Sequence, residues 1–326
     1  MKVLVTGANG FVGKHLCEHL VGEGHEVTAA VRRLDIAPPG TRAVIVGDLG
    51  PETDWSEAVR GQNVVVHLAA RVHVMDEKDS DPMRAFTLAN TEGTRKLAQD
   101  SVAASVSRVV YVSSIKANGE STTTGSLVAS DTPTPIDPYG MSKLNAETAL
   151  RKIELDSSLD VIVIRPPLIY GDGVGGNLLR LMWAIERGIP LPLGSVLNSR
   201  SMIFVENLVV ILGLCVLTQR NIGDPLLVAD DESLSTADVV RELSAGMGRH
   251  PRLFPVPVAW LALTGSLLGK RADVNRLTGS LQVSSNIHVL DAVYKEQCSS
   301  RAALRLTARA FSLRATATAT QTERGR

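Results

Sequence analysis

A glycine-spaced turn follows the first apolar run of the chain, in residues 2–13, KVLVTGANGFVG. Gly7 permits a tight turn at the end of the run, and Gly10 lets the backbone approach a pyrophosphate closely. Gly13 allows the next helix to pack against the strand, and the start of that helix offers amide groups to phosphates. Because the pattern lies between a strand and a helix, it predicts a dinucleotide-binding turn that also includes Asn9, Phe11 and Val12.

Apolar runs and helical stretches alternate over the first two-thirds of the chain. Runs rich in Val and Ile occupy 2–6, 26–31, 43–46, 63–68, 108–113 and 160–165, and helical spacing occupies 12–21, 83–104 and 142–155. Nearly continuous apolar strands suit a sheet that is covered on both faces, and strand–helix alternation requires parallel crossovers. The sequence therefore predicts an α/β fold with a doubly wound parallel Rossmann sheet.

The pattern changes near residue 177, where helices become dominant. We predict a dinucleotide-binding Rossmann domain over 1–176 and a smaller, mostly C-terminal, substrate-binding lobe over 177–285. Residues 286–326 hold seven basic residues against three acids and end in a run of Ala and Thr. Because this segment has little apolar content, we expect it to be an atypical and poorly ordered basic tail.

The composition is that of an ordinary globular protein. Thirty-four Lys and Arg balance 34 Asp and Glu, so the charge gives no sign of a nucleic-acid or membrane partner. The most apolar segments, 208–217 and 256–268, are shorter than the roughly 18 to 20 residues of a membrane span. The chain opens in a strand rather than a signal peptide, and its three cysteines match neither a disulfide framework nor a metal site. We therefore expect a cytoplasmic protein without a bound metal.

The second strand ends at Arg32 and Arg33, where dinucleotide folds that prefer NAD usually place an acid for the ribose hydroxyls. Asp35 comes too late in the sequence to fill that place. Arginine accommodates the 2′-phosphate of NADP, so we predict NADP(H) as the preferred cofactor and NAD(H) as the alternative. The other interpretation is that these arginines are solvated at a strand end.

Two further strand ends contribute to the predicted cofactor site. Asp48 and Leu49 follow the third strand, where a carboxylate can accept a hydrogen bond from the adenine amino group. The fourth strand ends at His67, which we predict to be packed rather than catalytic. The cofactor's ribose and nicotinamide can lie against the backbone of the next three residues, Leu68, Ala69 and Ala70.

The predicted catalytic pair is Tyr139 and Lys143, which lie one helical turn apart after a proline-rich loop. That spacing places both side chains on one face of a helix. A nearby ammonium would lower the pKa of the phenol and make Tyr139 an acid and base near neutral pH. Lys143 could also hold the nicotinamide ribose. Ser113 and Ser114 end the fifth strand, where a hydroxyl can polarise a substrate carbonyl.

Together these residues resemble the extended short-chain dehydrogenase/reductase family, which contains nucleotide-sugar epimerases, dehydratases and 4-ketoreductases. The resemblance covers roughly residues 1–285. It implies that Ser114, Tyr139 and Lys143 are catalytic and that Asn90 supports the site. It also implies that a backbone group of Pro166 or Leu168 faces the nicotinamide, and it makes a homodimer through the helices of 83–104 and 142–155 an expectation.

The same resemblance implies residues for the substrate. Arg200 begins the stretch 200–207, RSMIFVEN, which is similar to a family segment whose arginine binds the diphosphate of a sugar nucleotide. Asn177 and Arg276 are further candidates for that site, with a surface or helix-packing role as the alternative. Lys116 either faces the substrate beside Ser114 and Tyr139 or is a solvated loop lysine.

The stretch 113–119, SSIKANG, departs from many epimerases, which carry Tyr at the place of Asn118. This form resembles a bacterial polysaccharide subgroup of 4-epimerases and UDP-4-keto-6-deoxy-N-acetylhexosamine reductases. Ile115 and Lys116 stand where dehydratases carry an Asp-Glu pair, which disfavours dehydration. The family's closing segment, with its Trp and Pro, is also missing after Ser285.

Three functions remain in view from the sequence. The first is NADPH reduction of a UDP-4-keto-6-deoxy-N-acetylhexosamine in O-antigen, lipopolysaccharide or other polysaccharide biosynthesis, favoured by Arg32 and Arg33. The second is 4-epimerisation of UDP-glucose with retained NAD. The third is a non-catalytic NADP-binding regulatory protein, which the intact Tyr139 and Lys143 disfavour. In each of the first two cases the partner is a UDP- or dTDP-linked sugar.

Overall fold

The computed structural model describes residues 1–72, 81–267, 269–290 and 298–324. Its strands are β1 (Lys2–Thr6), β2 (Glu26–Val31), β3 (Arg42–Ile45), β4 (Val64–His67), β5 (Arg108–Val112), β6 (Asp160–Arg165), β7 (Leu168–Tyr170), β8 (Met202–Phe204) and β9 (Leu226–Leu227). Its helices are α1 (Phe11–Gly22), α2 (Ser56–Val59), α3 (Pro82–Phe86), α4 (Gly93–Ala103), α5 (Pro138–Leu155), α6 (Gly176–Glu186), α7 (Val205–Leu217), α8 (Thr236–Gly246), α9 (Val258–Leu267), α10 (Arg271–Thr278) and α11 (Ser300–Arg324).

Seven strands of the described chain form one parallel sheet in the order β3-β2-β1-β4-β5-β6-β9. β1 lies at the centre, with Val3 opposite Val27 of β2 on one side and Val64 of β4 on the other. The strand order therefore reverses between β1 and β4, which confirms the predicted doubly wound Rossmann sheet. Ligands of such sheets bind outside the carboxyl ends of the strands at this reversal.

Helices cover both faces of the sheet, which explains why its strands are almost continuous Val and Ile. Val3 and Val5 of β1 pack in a core that includes residues of α1 and α7. Leu4 points to the other face and packs in a second core with residues of α4 and α5. The carboxyl ends of β1, β4 and β5 consequently meet the starts of α1 and α5 at one edge of the sheet.

Elements from the later part of the chain also belong to the main sheet and its cover. β9 and α7 fall within 177–285, yet β9 pairs with β6 in the main sheet, and α7 packs on α1. Leu226 and Leu227 are fully buried there, so this short strand completes the sheet's hydrophobic interior. β7 and β8 form a second, two-stranded parallel sheet.

The C-terminal segment differs from the poorly ordered tail that the sequence predicted. Within its described part, residues 300–324 form α11, which packs on α8. Leu304, Ala308 and Phe311 are buried at intervals of about one helical turn, and Arg305 donates to Glu242 of α8. The average composition concealed this narrow apolar stripe. Residues 291–297 and 325–326 of the predicted tail lie outside the described part.

The apolar helices of the later segments are short. Over the described residues, the structure contains no helix that combines the length and the apolar character needed to cross a bilayer.

Replacing Leu304 tests whether α11 belongs to the core. We expect Leu304→Ala to lower the free energy of unfolding by about 3 kcal/mol, because it removes a fully buried side chain. Leu313→Ala, on the same helix but 73% exposed, should change it by less than about 0.5 kcal/mol. Urea denaturation measures both, and equal effects of the two substitutions would show that α11 does not pack as described.

Candidate active site

The glycine turn has the close contacts that the sequence predicted. Gly10 N donates to Gly7 O at 2.9 Å, and Gly7 has a φ of +66°, which favours glycine. A Cβ on Gly13 would overlap Gly7 O, and a Cβ on Gly7 would lie 2.8 Å from Ala69 N. The turn is therefore pressed between α1 and the end of β4. A Cβ on Gly10 would meet only Gly7 O, at 3.1 Å, so backbone at the start of α1 stays accessible to a phosphate.

The two arginines after β2 are exposed and already face carboxylates. Arg33 donates to both oxygens of Asp35, at 3.0 and 2.7 Å, and Arg32 Nη1 lies 3.6 Å from Asp48 Oδ1. Asp35 lies in the turn Leu34–Ile36, after the strand end, and pairs there with Arg33. Each guanidinium has an acid beside it, and the field at this edge is more balanced than two arginines alone would make it.

A buried polar chain fixes the end of β4. His67 lies between the hydroxyls of Thr6 and Thr94, at 2.6 and 2.9 Å, and burial lowers its pKa to about 3. His67 is therefore a packed, neutral histidine. Thr6 Oγ1 also accepts from Ala69 N at 3.1 Å, which holds the half-buried residues Leu68, Ala69 and Ala70 against the glycine turn.

A π-helical stretch, Thr87–Glu92, joins α3 to α4 where the sequence predicted one continuous helix. Such stretches often occur at functional sites, and this one contains the buried Asn90. The amide of Asn90 accepts from Arg71 N at 2.8 Å and donates to Ser142 Oγ at 3.0 Å. Asn90 therefore ties the segment after β4 to α5, which carries the predicted catalytic pair.

The predicted catalytic residues come together at the carboxyl end of β5. The Tyr139 hydroxyl lies close enough to the Ser114 side chain for that side chain to lower its pKa, and Lys143 lies one turn further along α5. Lys143 Nζ donates to Val112 O at 2.8 Å and lies 4.4 Å from the centre of the Tyr111 ring. The lysine is therefore anchored to the strand end, and the hydroxyls of Ser114 and Tyr139 meet beside it.

Burial sets the protonation of this pair in the direction opposite to our expectation. It raises the pKa of Tyr139 to about 12, against a smaller opposing effect of the Ser114 hydrogen bond. It lowers the pKa of Lys143 to about 7, although the nearby Glu147 carboxylate raises it. The predicted net lowering of the phenol's pKa is absent in the ligand-free protein, because burial outweighs the effects that favour the phenolate.

A buried ion pair behind the catalytic helix escaped the sequence analysis. Arg165 at the end of β6 donates to both carboxylate oxygens of Glu147, and its other nitrogen donates to Asn118 Oδ1 at 2.8 Å. Ser113 Oγ also donates to Glu147. These four side chains are almost completely buried. Glu147 lies one turn beyond Lys143 on α5. That spacing was the signal in the sequence that could have revealed Glu147 as a residue of the site.

Lys116 is held by carboxylates and is not a freely solvated loop lysine. Its ammonium is half-buried and forms ion pairs with Asp137 and, at 3.2 Å, with Glu120. Asp137 caps the N-terminus of α5 by accepting from Gly140 N at 2.7 Å. Lys116 therefore ties the turn after Ser114 to the start of the catalytic helix.

The remaining predicted residues lie at different distances from the chemistry. Pro166 O accepts from Ile115 N at 2.9 Å, so the segment after β6 holds the turn that begins at Ser114. Leu168 is partly exposed at the start of β7. Arg200 Nη1 donates to Gly279 O at 3.0 Å, which joins β8 to the end of α10. Asn177 is exposed near the start of α6, and Arg276 is half-buried, 3.7 Å from Asp273.

Fold and site together define a Rossmann-type oxidoreductase with a Ser–Tyr–Lys centre. The donor set fits a nicotinamide dinucleotide, because the glycine turn leaves backbone accessible at a helix start while Tyr139 and Lys143 stand at the adjacent strand end.

Comparison with known proteins agrees with this class. The sequence profile of the NAD dependent epimerase/dehydratase family matches residues 3–227. The chain belongs to this family of enzymes, which confirms the resemblance drawn from its motifs.

A Vibrio cholerae protein described as UDP-glucose 4-epimerase is 38% identical over 283 residues, which is 86% of each chain. The structure of MoeE5 in complex with UDP-glucose and NAD is 25% identical, with a TM-score of 0.76, covering 97% of this chain and 100% of that one. The Thermus thermophilus UDP-glucose 4-epimerase complex with NAD is 21% identical, with the same TM-score, covering 95% and 99%.

The buried ammonium predicts an unusual pH dependence of stability. Because the pKa of Lys143 is about 7 when folded and higher when unfolded, the unfolded state binds more protons above pH 7. The wild type should therefore gain about 2 kcal/mol relative to Lys143→Met between pH 7 and pH 9. Denaturant titrations at both pH values measure this, with Lys152→Met, an exposed lysine of α5, as control. Parallel behaviour of wild type and Lys143→Met would contradict it.

Removing one partner of the Glu147–Arg165 ion pair should lower the free energy of unfolding more than removing both partners. Glu147→Gln should lower the free energy of unfolding by about 3 kcal/mol, because it leaves the buried Arg165 without its counter-charge. Glu147→Leu combined with Arg165→Met should recover at least half of that loss. Glu232→Gln, in an exposed pair with Arg301, should cost less than about 1 kcal/mol. A double variant less stable than Glu147→Gln would refute this account.

Proposed function

We propose that this protein is an NAD-dependent 4-epimerase of UDP-hexoses. The observation that carries the proposal is the meeting of Ser114, Tyr139 and Lys143 at the end of β5, beside the glycine turn. The 38% identity to the Vibrio cholerae UDP-glucose 4-epimerase, over most of both chains, supports the substrate class. We assign the diphosphate to the side of Arg200, since a guanidinium can hold a phosphate in a bidentate manner.

The roles of the side chains follow from their positions. NAD, when bound, supplies a reversible hydride acceptor for the carbon that carries the 4-hydroxyl. Tyr139 removes the proton of that hydroxyl and later returns it, and Ser114 donates a hydrogen bond to the same oxygen. The hydrogen bond from Lys143 to Val112 O keeps its ammonium beside the centre. A cation there favours the phenolate that Tyr139 must form.

The electrostatics after β2 support NAD over NADP. Asp35 accepts from two nitrogens of the Arg33 guanidinium, and Asp48 stands beside Arg32. A 2′-phosphate entering here would meet two carboxylates as well as two guanidinium groups. The structures of MoeE5 and of the Thermus protein both contain NAD. We therefore revise the sequence-based preference for NADP(H) and propose NAD(H).

A second candidate is NADPH reduction of a UDP-4-keto-6-deoxy-N-acetylhexosamine for polysaccharide synthesis. Arg32 and Arg33 favour it, because both are 69% exposed. Exposed ion pairs contribute at most about 1 kcal/mol, so a phosphate could displace their carboxylates. For either function we propose a cytoplasmic enzyme, and a homodimer through the face formed by α4 and α5.

Product analysis separates the two candidates. Purified protein is incubated with UDP-glucose or UDP-galactose without added cofactor, and the products are followed by proton NMR. We expect interconversion of the two sugars, and we expect denaturation of the protein to release NAD. If the UDP-hexoses stay unchanged while NADPH is consumed with a 4-keto sugar, the reductase is the correct assignment.

Removing the Tyr139 hydroxyl tests the catalytic assignment. We expect Tyr139→Phe to lower kcat by at least about 100-fold, because it removes the group that carries the proton. Tyr111→Phe makes the same chemical change on β5 beneath Lys143 and should keep kcat within a few-fold of wild type. Melting temperatures check that both variants fold. Unchanged turnover in Tyr139→Phe would refute the assignment of Tyr139, and absence of turnover in the wild type would support a non-catalytic protein.

A further inference from the structure

α9 is an apolar helix that the fold leaves largely uncovered. No residue from 253 to 269 is charged, and this stretch includes the whole helix, Val258–Leu267. Eight of its ten residues are exposed, including Trp260 (62%), Leu263 (53%) and Leu267 (79%). A helix that is apolar on all sides is ordinarily buried, so this one needs an apolar cover.

The helix contacts the rest of the protein through one face. Leu261 and Gly265 are its two covered residues, and they lie one helical turn apart. A Cβ on Gly265 would collide with Val274, which shows how closely α9 rests on α10 at that point. The other positions, from Val258 to Leu267, are spread around the rest of the circumference. α9 and α10 therefore form a hairpin, and the outer helix presents apolar side chains in several directions.

Positive charge surrounds this apolar helix. Residues 249–276 contain five basic residues and one acid, although the whole chain is neutral. Lys270 and Arg271 are exposed at the tip of the hairpin, immediately after the apolar stretch. Arg249 pairs with Glu186 and Arg276 lies 3.7 Å from Asp273, so the local excess of positive charge lies at Lys270 and Arg271. The balanced total, from which the sequence analysis expected no membrane partner, conceals this basic tip.

We propose that the α9–α10 hairpin docks on the surface of an anionic lipid bilayer. Trp260, Leu263 and Leu267 lie at the boundary between headgroups and acyl chains, and the tip contacts anionic headgroups through Lys270 and Arg271. Tryptophan favours that boundary, and each nearby basic residue adds electrostatic attraction. The hairpin lies on the surface, because a helix of ten residues is too short to span.

The distribution of exposed residues favours a bilayer over a second copy of the chain. A bilayer surrounds an inserted helix on several sides at once, as this pattern of exposure requires. A two-fold interface buries one patch of each copy against the same patch of the other, and it would cover fewer sides of the helix.

The docking surface is connected to the candidate substrate lobe. At the end of α10, the carbonyl oxygens of Leu277 and Gly279 accept hydrogen bonds from Asn198, and Gly279 O also accepts from Arg200. Bilayer binding would therefore hold this lobe close to the membrane surface. The proposal does not depend on the epimerase assignment, because docking is measured without a sugar nucleotide.

Co-sedimentation of the full chain with vesicles tests the proposal. We expect binding to vesicles of equal parts phosphatidylcholine and phosphatidylglycerol, and at least tenfold weaker binding to phosphatidylcholine alone. Trp260→Ser combined with Leu263→Ser should weaken binding to the anionic vesicles at least tenfold. Lys270→Glu combined with Arg271→Glu should weaken it at least fivefold. Leu313→Ser is the control, because it removes an equally apolar side chain at an exposed position of α11. This variant should bind the vesicles as the wild type does.

Fluorescence and oligomeric state complete the test. Tryptophan emission of the wild type should shift to the blue with anionic vesicles, and Trp260→Ser should abolish that shift. Unchanged melting temperatures establish that the variants fold. The proposal is overturned if the wild type ignores anionic vesicles. It is equally overturned if Trp260→Ser combined with Leu263→Ser binds them as the wild type does. It is also overturned if the wild type is a dimer that does not bind vesicles and the double variant is a monomer.

Discussion

The buried pair of Glu147 and Arg165 is the interaction on which the rest of the site depends. It joins α5 to the end of β6, and through Ser113 and Asn118 it also fixes the end of β5 and the turn that follows. Desolvation makes each partner costly without the other, so the pair specifies one arrangement of these elements. The catalytic helix is consequently held in place from behind, while its front faces the cofactor edge.

A second constraint acts from the front of the same helix. Lys116 pairs with Asp137, which also caps the first turn of α5, so the turn after Ser114 is tied to the helix start. The centre is therefore built before any ligand arrives, and binding energy is not needed to assemble it. The protonation states of its groups are still unfavourable for proton transfer. Burial disfavours both the phenolate of Tyr139 and the ammonium of Lys143.

The electrostatics of the cofactor edge show how local sequence can mislead. Arg32 and Arg33 indicated a phosphate site when considered alone, but the folded chain brings Asp48 and Asp35 beside them. Neutral total charge similarly hid the basic tip near α9, and average composition hid the apolar stripe of α11. In each case a property considered without its surroundings in space gave the wrong expectation. The positions of charged and apolar side chains in the folded chain set the local field and the local burial.

The sequence by itself determined the fold class and the positions of the glycine turn, Ser114, Tyr139 and Lys143. These features depend on short-range rules, namely the period of apolar residues, the conformational freedom of glycine and the spacing of one helical turn. Only the tertiary structure decided the protonation of Tyr139 and Lys143, the contacts of Lys116 with Asp137 and of Arg32 with Asp48, and the ion pair behind α5. Those properties arise from burial and from contacts between residues far apart in the chain, and no local pattern encodes either of them.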